Sequence, residues 1–167
     1  MMNKLILSIA LSICTFTTYA AVDMFLKIGD IEGESQDIDH KNEIDVLAWS
    51  WGTSADSRRI CIQDLSVTKW ADKSSPALLM NQITHVSYPK ATLTVRKAGA
   101  NPLEYIIIEM TDVYVSSLSN GGSGGEDRLT ENISLNFDQL KYTYFPQSID
   151  GSPAEKVEAT ISSEKCN

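Results

Sequence analysis

The sequence predicts a mostly-β domain, an antiparallel β-barrel of two packed sheets with one short flanking α-helix. Three observations carry that expectation. Apolar and polar residues alternate with period two along most of the chain, as in half-buried antiparallel strands. Only one short segment follows a helical spacing. The alternation also slips parity in two places, and bends of that kind let long strands curl into a barrel.

The first 20 of the 167 residues stand apart from the rest. Lys4 supplies a positive start, Leu5 to Phe16 form an apolar run of 12 residues broken only by small polar ones, and Thr18-Tyr19-Ala20 places small residues before a cut between Ala20 and Ala21. This three-part layout is that of a secretory signal peptide, and the run is shorter than a membrane span requires. The expected organisation is a signal peptide at 1–20, a barrel domain at 21–147, and a tail at 148–167 that is either an edge strand or disordered. The processed chain is then secreted by way of the periplasm, with no membrane insertion.

Taken in order, Val22, Met24, Leu26 and Ile28 alternate with Asp23 and Lys27. Ile44 to Trp51 is apolar on both parities and reads as a strand covered on both faces. Ile60 and Ile62 are even while Leu65 and Val67 are odd, which places a bend near Gln63-Asp64. Ser75 and Pro76 then suit a helix start, and Leu79 and Ile83 share one helix face in the segment that follows. Ala91, Leu93 and Val95 alternate again. Leu103 to Met110, with three consecutive isoleucines, is a second run apolar on both parities. Leu129, Ile133, Leu135 and Phe137 are odd, whereas Leu140, Tyr142 and Tyr144 are even, so a second bend falls near Asp138-Gln139. Loops are expected at 30–42, 52–58, 98–102 and 120–127. The last is dense in glycine, which permits positive φ and suggests a long hairpin connection. The tail alternates weakly through Val157, Ala159 and Ile161.

Composition narrows the function. The net charge is −8, and it is one unit more negative without the leader. An acidic chain with the basic pair Arg58-Arg59 but no basic patch is a poor ligand for nucleic acid. Two histidines, His40 and His85, lie apart and lack zinc-ligand spacing. Asp37, Asp39, Glu43 and Asp45 depart from the calcium-loop pattern. Glu126, Asp127 and Glu131 beside Arg128 read as a solvated acidic loop. No Gly-x-Ser-x-Gly elbow or phosphate loop is present. The reading is therefore of a protein with no enzyme activity, no catalytic or metal residues and no cofactor.

Beyond residue 20 the cysteines are Cys61 and Cys166. In an oxidising compartment an even pair favours a bridge over two separate thiols. Closing a loop of about 100 residues is worth roughly 4–5 kcal/mol at most. Trp49 and Trp51 project from one strand face, either into the core or into a subunit interface, where tryptophan is enriched.

The blocks Ala21 to Ser35, Ile44-Asp-Val-Leu-Ala-Trp-Ser-Trp-Gly52, Ile62-Gln-Asp-Leu-Ser-Val-Thr-Lys69, Asp72-Lys-Ser-Ser-Pro76, Leu93 to Gly99, Asn101 to Tyr105 and Gly121 to Asn132 resemble, in order, those of the haemolysin-coregulated protein (Hcp) family of type VI secretion. The motif loop, with Gly121, Gly122, Gly124, Gly125, Glu126, Asp127 and Arg128, is the most specific of them. The resemblance implies a β-barrel with a flanking helix, six copies in a ring, and rings stacked into a tube. It also implies small effector proteins in the lumen and other secretion-apparatus components as partners. A ring is a closed head-to-tail assembly that needs two different patches on each subunit. Trp49, Trp51, Ile106 and Ile108, on the doubly apolar strands, are the candidate interface residues. The chain departs from the family in its leader, in a short loop after Gly52, and in a tail that ends near Cys166. An exported Hcp-like binding module that builds no tubes is the alternative reading.

Overall fold

The computed structural model describes residues 22–55, 60–99, 102–146 and 155–162. The expected leader, its cleavage point at Ala20 and Ala21, and Cys166 lie outside them. Ten strands and one helix follow in the order β1 (Val22–Ile28), β2 (Ile44–Ser50), β3 (Thr53–Ala55), β4 (Ile60–Ile62), β5 (Leu65–Trp70), α1 (Ser75–Thr84), β6 (Ser87–Lys97), β7 (Leu103–Gly121), β8 (Thr130–Asn136), β9 (Gln139–Tyr144) and β10 (Val157–Ser162).

Pairing closes a circuit. β6 pairs β1, β1 pairs β2, β2 pairs β5, β5 pairs β8, β8 pairs β7, and β7 returns to β6. β9 pairs the first half of β7, and β10 pairs β9, so these two strands extend the sheet past the closed barrel. Leu26 and Ile28 from β1, Leu93 from β6, Ile108 and Met110 from β7, and Ile133 and Leu135 from β8 are all fully buried and fill the interior. Each follows the alternation of its strand, so burial of one face sets the register.

The two expected bends occur at strand breaks. Residues 63–64 separate β4 from β5, and 137–138 separate β8 from β9. The sharper device sits in β7. Its buried residues are even up to Met110 and odd from Val113, and Asp112 between them has φ 50°. Pro89 lies across the ladder at this point, between Tyr88↔Val113 and Lys90↔Thr111, and it has no N–H to donate. Here β7 leaves its pairing with β9 at Thr111↔Gln139 and takes up β8 at Tyr114↔Asn136. One 19-residue strand therefore serves two edges.

β2 corrects the reading of a strand covered on both faces. A register shift between Val46 and Ala48 isolates Leu47. Before it, Ile44 and Val46 are buried; after it, Trp49 and Trp51 pack on the core, while Leu47 and Ala48 are exposed. The run is apolar on both parities because a bulge swaps the inward parity. The expected loop after Gly52 is also more ordered than anticipated, since β3 and β4 pair as a two-stranded sheet.

The helix starts where expected, but Ser74 is its N-cap and makes no side-chain cap bond. Leu78 is the buried residue, and the expected apolar face of Leu79 and Ile83 is 42% and 62% exposed. A single short helix lying on a closed barrel inserts only a narrow part of its surface. The glycines of the motif loop are also corrected. Among the described residues only Gly29 and Gly99 have positive-φ glycine backbones. Gly122 instead lets the Leu129 side chain lie against its backbone. The tail contributes β10 as an edge strand.

Candidate assembly surfaces

The apolar surface is built by the sheet extension. Cross-strand partners share a face, so the rows Ile106↔Tyr144↔Val157 and Ile108↔Tyr142↔Ala159 run across β7, β9 and β10 on one side. Near the barrel this face is closed, with Ile108 and Met110 at 0% exposure. Outward it opens, and Tyr144 and Val157 are 39% and 62% exposed. Trp51 lies 6.5 Å from Tyr142, ring to ring. Of the four candidate interface residues, Trp49, Trp51 and Ile106 are half-buried against the core. Ile108 is a correction, because a side chain wholly enclosed in its own barrel has no surface left for a neighbour. Tyr144 and Val157 are not among those four, although both fall in the even and odd alternations of their segments.

A second apolar patch is the outer face of α1, where Leu79, Met80 and Ile83 are all exposed. The helix carries no charged side chain. It is held by a buried polar knot. Leu65, Val67 and Lys69 share the inward face of β5 opposite Leu135, Ile133 and Glu131, so the core row ends in a directly paired lysine and glutamate. Lys69 Nζ donates its three protons to Glu131 Oε1 at 2.6 Å, to the Trp70 carbonyl at 2.7 Å and to Asp72 Oδ1 at 2.9 Å, and lies 3.3 Å from Ser75 Oγ. Ser75 Oγ also donates to Glu131 Oε1 at 2.7 Å. Both side chains of the Lys69–Glu131 pair are 0% exposed. Glu131 is therefore a correction to the solvated acidic loop. Glu126 and Asp127 do lie in the exposed loop, while Arg128 stacks 4.9 Å from the centre of the Trp70 ring.

A third cluster clamps the loop after β1. Odd residues of β1 face away from the core, and Phe25 is covered there by His40, whose ring stacks on it at 4.2 Å. Arg96 lies 5.0 Å from the centre of the same phenyl ring. Its guanidinium forks onto both oxygens of Asp37 and reaches Asp23 at 3.1 Å. The Arg96 hydrogen bond, opposed by burial, holds the Asp37 carboxyl down at about 2. A depressed carboxylate stabilises the fold above the ordinary range near pH 4 and loses that contribution as pH falls toward 2. With the Asp37 side chain 23% exposed, solvent screening leaves about 1–2 kcal/mol. Asp37→Asn is expected to flatten the loss of stability between about pH 4 and pH 2, read by urea melts.

Among the described residues no three His, Cys, Asp or Glu side chains converge to hold a metal ion, and no helix is long and apolar enough to cross a membrane. Cys61 lies in β4, beside the Gln63–Asp64 bend.

Comparison with known proteins decides what this barrel belongs to. Residues 25–144 match the family model described as the type VI secretion system effector Hcp.

The chain belongs to the Hcp family.

Protein hcp1 of Pseudomonas aeruginosa is 54% identical over 143 residues, covering 79% of this chain and 88% of that protein. A type VI secretion system effector from Yersinia pestis superposes with TM-score 0.75 at 35% identity, covering 84% of this chain and 100% of that one. Hcp1 from Salmonella typhimurium gives 0.73 at 35% identity, covering 85% and 94%. The chain is thus a ring and tube protein of type VI secretion, a structural component of a secretion system. The matched span ends at Tyr144, so β10 lies beyond the Hcp model while sharing its sheet.

Proposed function

We propose that the processed chain, residues 21–167, forms a six-membered ring outside the cytoplasm and holds small effector proteins in its lumen without catalysis. The observation that carries this reading is the pair of unlike apolar patches on one subunit. One is the open face of the β9–β10 extension at Tyr144 and Val157; the other is the outer face of α1 at Leu79, Met80 and Ile83. A head-to-tail ring requires two different patches that meet across each boundary. Trp51 and Ile106, half-buried beside the first patch, are positioned to be covered with it.

The leader and the cysteines fit the same proposal. An exported chain meets oxidising conditions, where Cys61 and Cys166 bridge.

Native mass spectrometry of chain exported to an oxidising compartment and never reduced tests all three points. The expected result is a sixfold assembly of subunits that begin at Ala21, each two hydrogens lighter than the dithiol. Tyr144→Asp combined with Val157→Asp is expected to release folded monomers, because both side chains are exposed within one chain. A monomeric unaltered chain overturns the ring. Rings that do not stack under electron microscopy would favour the binding module, in keeping with the short connection between β3 and β4.

A further inference from the structure

We propose that His40 is a protonation-dependent clasp that fastens the loop at 30–42 to strand β7, and so controls how that loop is presented. The ring sits between two carboxylates from different parts of the fold. Nδ1 lies 2.9 Å from Glu43 Oε2, at the end of the loop, and Nε2 lies 3.3 Å from Glu104 Oε1, at the start of β7. The His40 side chain is 8% exposed, and its Nε2 is a buried nitrogen with no hydrogen bond in this arrangement. Phe25 fixes the plane of the ring by stacking. The position is fixed further by the His40 backbone N–H, which donates to Asp37 Oδ1 at 3.2 Å.

The chemistry follows from the donor count. An imidazolium has two N–H groups and satisfies both carboxylates. A neutral imidazole has one, so once Nδ1–H serves Glu43, Nε2 turns a lone pair toward the Glu104 oxygen. Two acceptors at that distance repel. The clasp is closed on the acid side of the histidine range and open on the alkaline side. The other charged groups around the stack are Arg96 with Asp23, Asp37 and Asp39, and Asp45, which lies across the ladder from Phe25. The Arg96 fork onto Asp37 keeps the front of the loop anchored, so only its far end is released. Between the two anchors sits Ile38, an apolar side chain 93% exposed. What the clasp governs is therefore the rigidity with which an apolar residue is offered at the surface.

The test is hydrogen exchange with mass spectrometry on the full chain, between about pH 5 and about pH 8.5, corrected for intrinsic exchange. It reads one chain, so it holds whether or not rings form. Peptides covering 33–42 and 103–106 are expected to lose protection together as pH rises. Glu104→Gln, at a side chain 41% exposed, is expected to keep the loop protected throughout, since an amide can donate to neutral Nε2 and accept from its protonated form. Protection in the unaltered chain that does not change with pH overturns the clasp, as does an equal loss of protection in Glu104→Gln.

Discussion

Lys69→Met is expected to destabilise the folded chain by about 3–5 kcal/mol, read as a lower urea midpoint with an unchanged slope. Removing the ammonium leaves Glu131 at 0% exposure and Asp72 at 4% without their common donor. One Glu131 oxygen already has no partner, so the remaining interactions cannot absorb the loss. The expected cost is that of stranding buried charge, and it exceeds the worth of the intact pair. The double variant Lys69→Met, Glu131→Leu distinguishes the two. With both charges gone the core row simply continues as an apolar one, and much of the lost stability is expected to return. If the double variant is no better than the single, the knot itself is worth more than its desolvation. Because Ser75 and Asp72 belong to the same knot, the single variant is also expected to loosen the start of α1. Its apolar outer face would then be presented less rigidly to a neighbouring subunit.

Ile108→Ala is expected to cost about 2–5 kcal/mol, whatever the state of assembly. The side chain is 0% exposed and lies opposite Leu93 and Tyr142 on two different neighbours. Its loss opens a cavity at the point where barrel and extension share a strand. Ile106→Ala, one step outward on the same face, is expected to cost less in an isolated subunit and more in an assembled one. Equal losses in the two positions, measured on monomers, would place Ile108 at the surface after all. This pair separates core from interface on a strand where the letters are the same, and only the position along the sheet differs.

The strand pattern was legible because each barrel strand buries one face. Leu26 and Ile28, Leu65 and Val67, and Ile133 and Leu135 announce their parity, and parity is a local property of the chain. The two bends at 63–64 and 137–138 were legible for the same reason, as slips in that parity. Lys69 and Glu131 were legible in principle, since both stand in apolar rows, but a lone charge in such a row reads as an exception until its partner across the ladder is known. The long doubly apolar runs could not be resolved locally. In β2 a bulge at Leu47 exchanges the inward parity, and in the segment from Leu103 the same isoleucines serve the core at one end and an open sheet at the other.

The sequence by itself determined the class of fold, the main barrel strands, the position of the helix at 75–84 and, through the ordered blocks ending in the Gly121 to Asn132 loop, the family. Only the tertiary structure decided which apolar residues are left over for a partner. Exposure depends on what lies opposite across a ladder, and ladder partners such as Ile106, Tyr144 and Val157 are separated by tens of residues in the chain. The clamp of Arg96 on Asp37 and the approach of Glu104 to His40 were hidden for the same reason. Each is a contact between groups whose neighbourhood in sequence gives no sign of it, made close by the closing of the barrel.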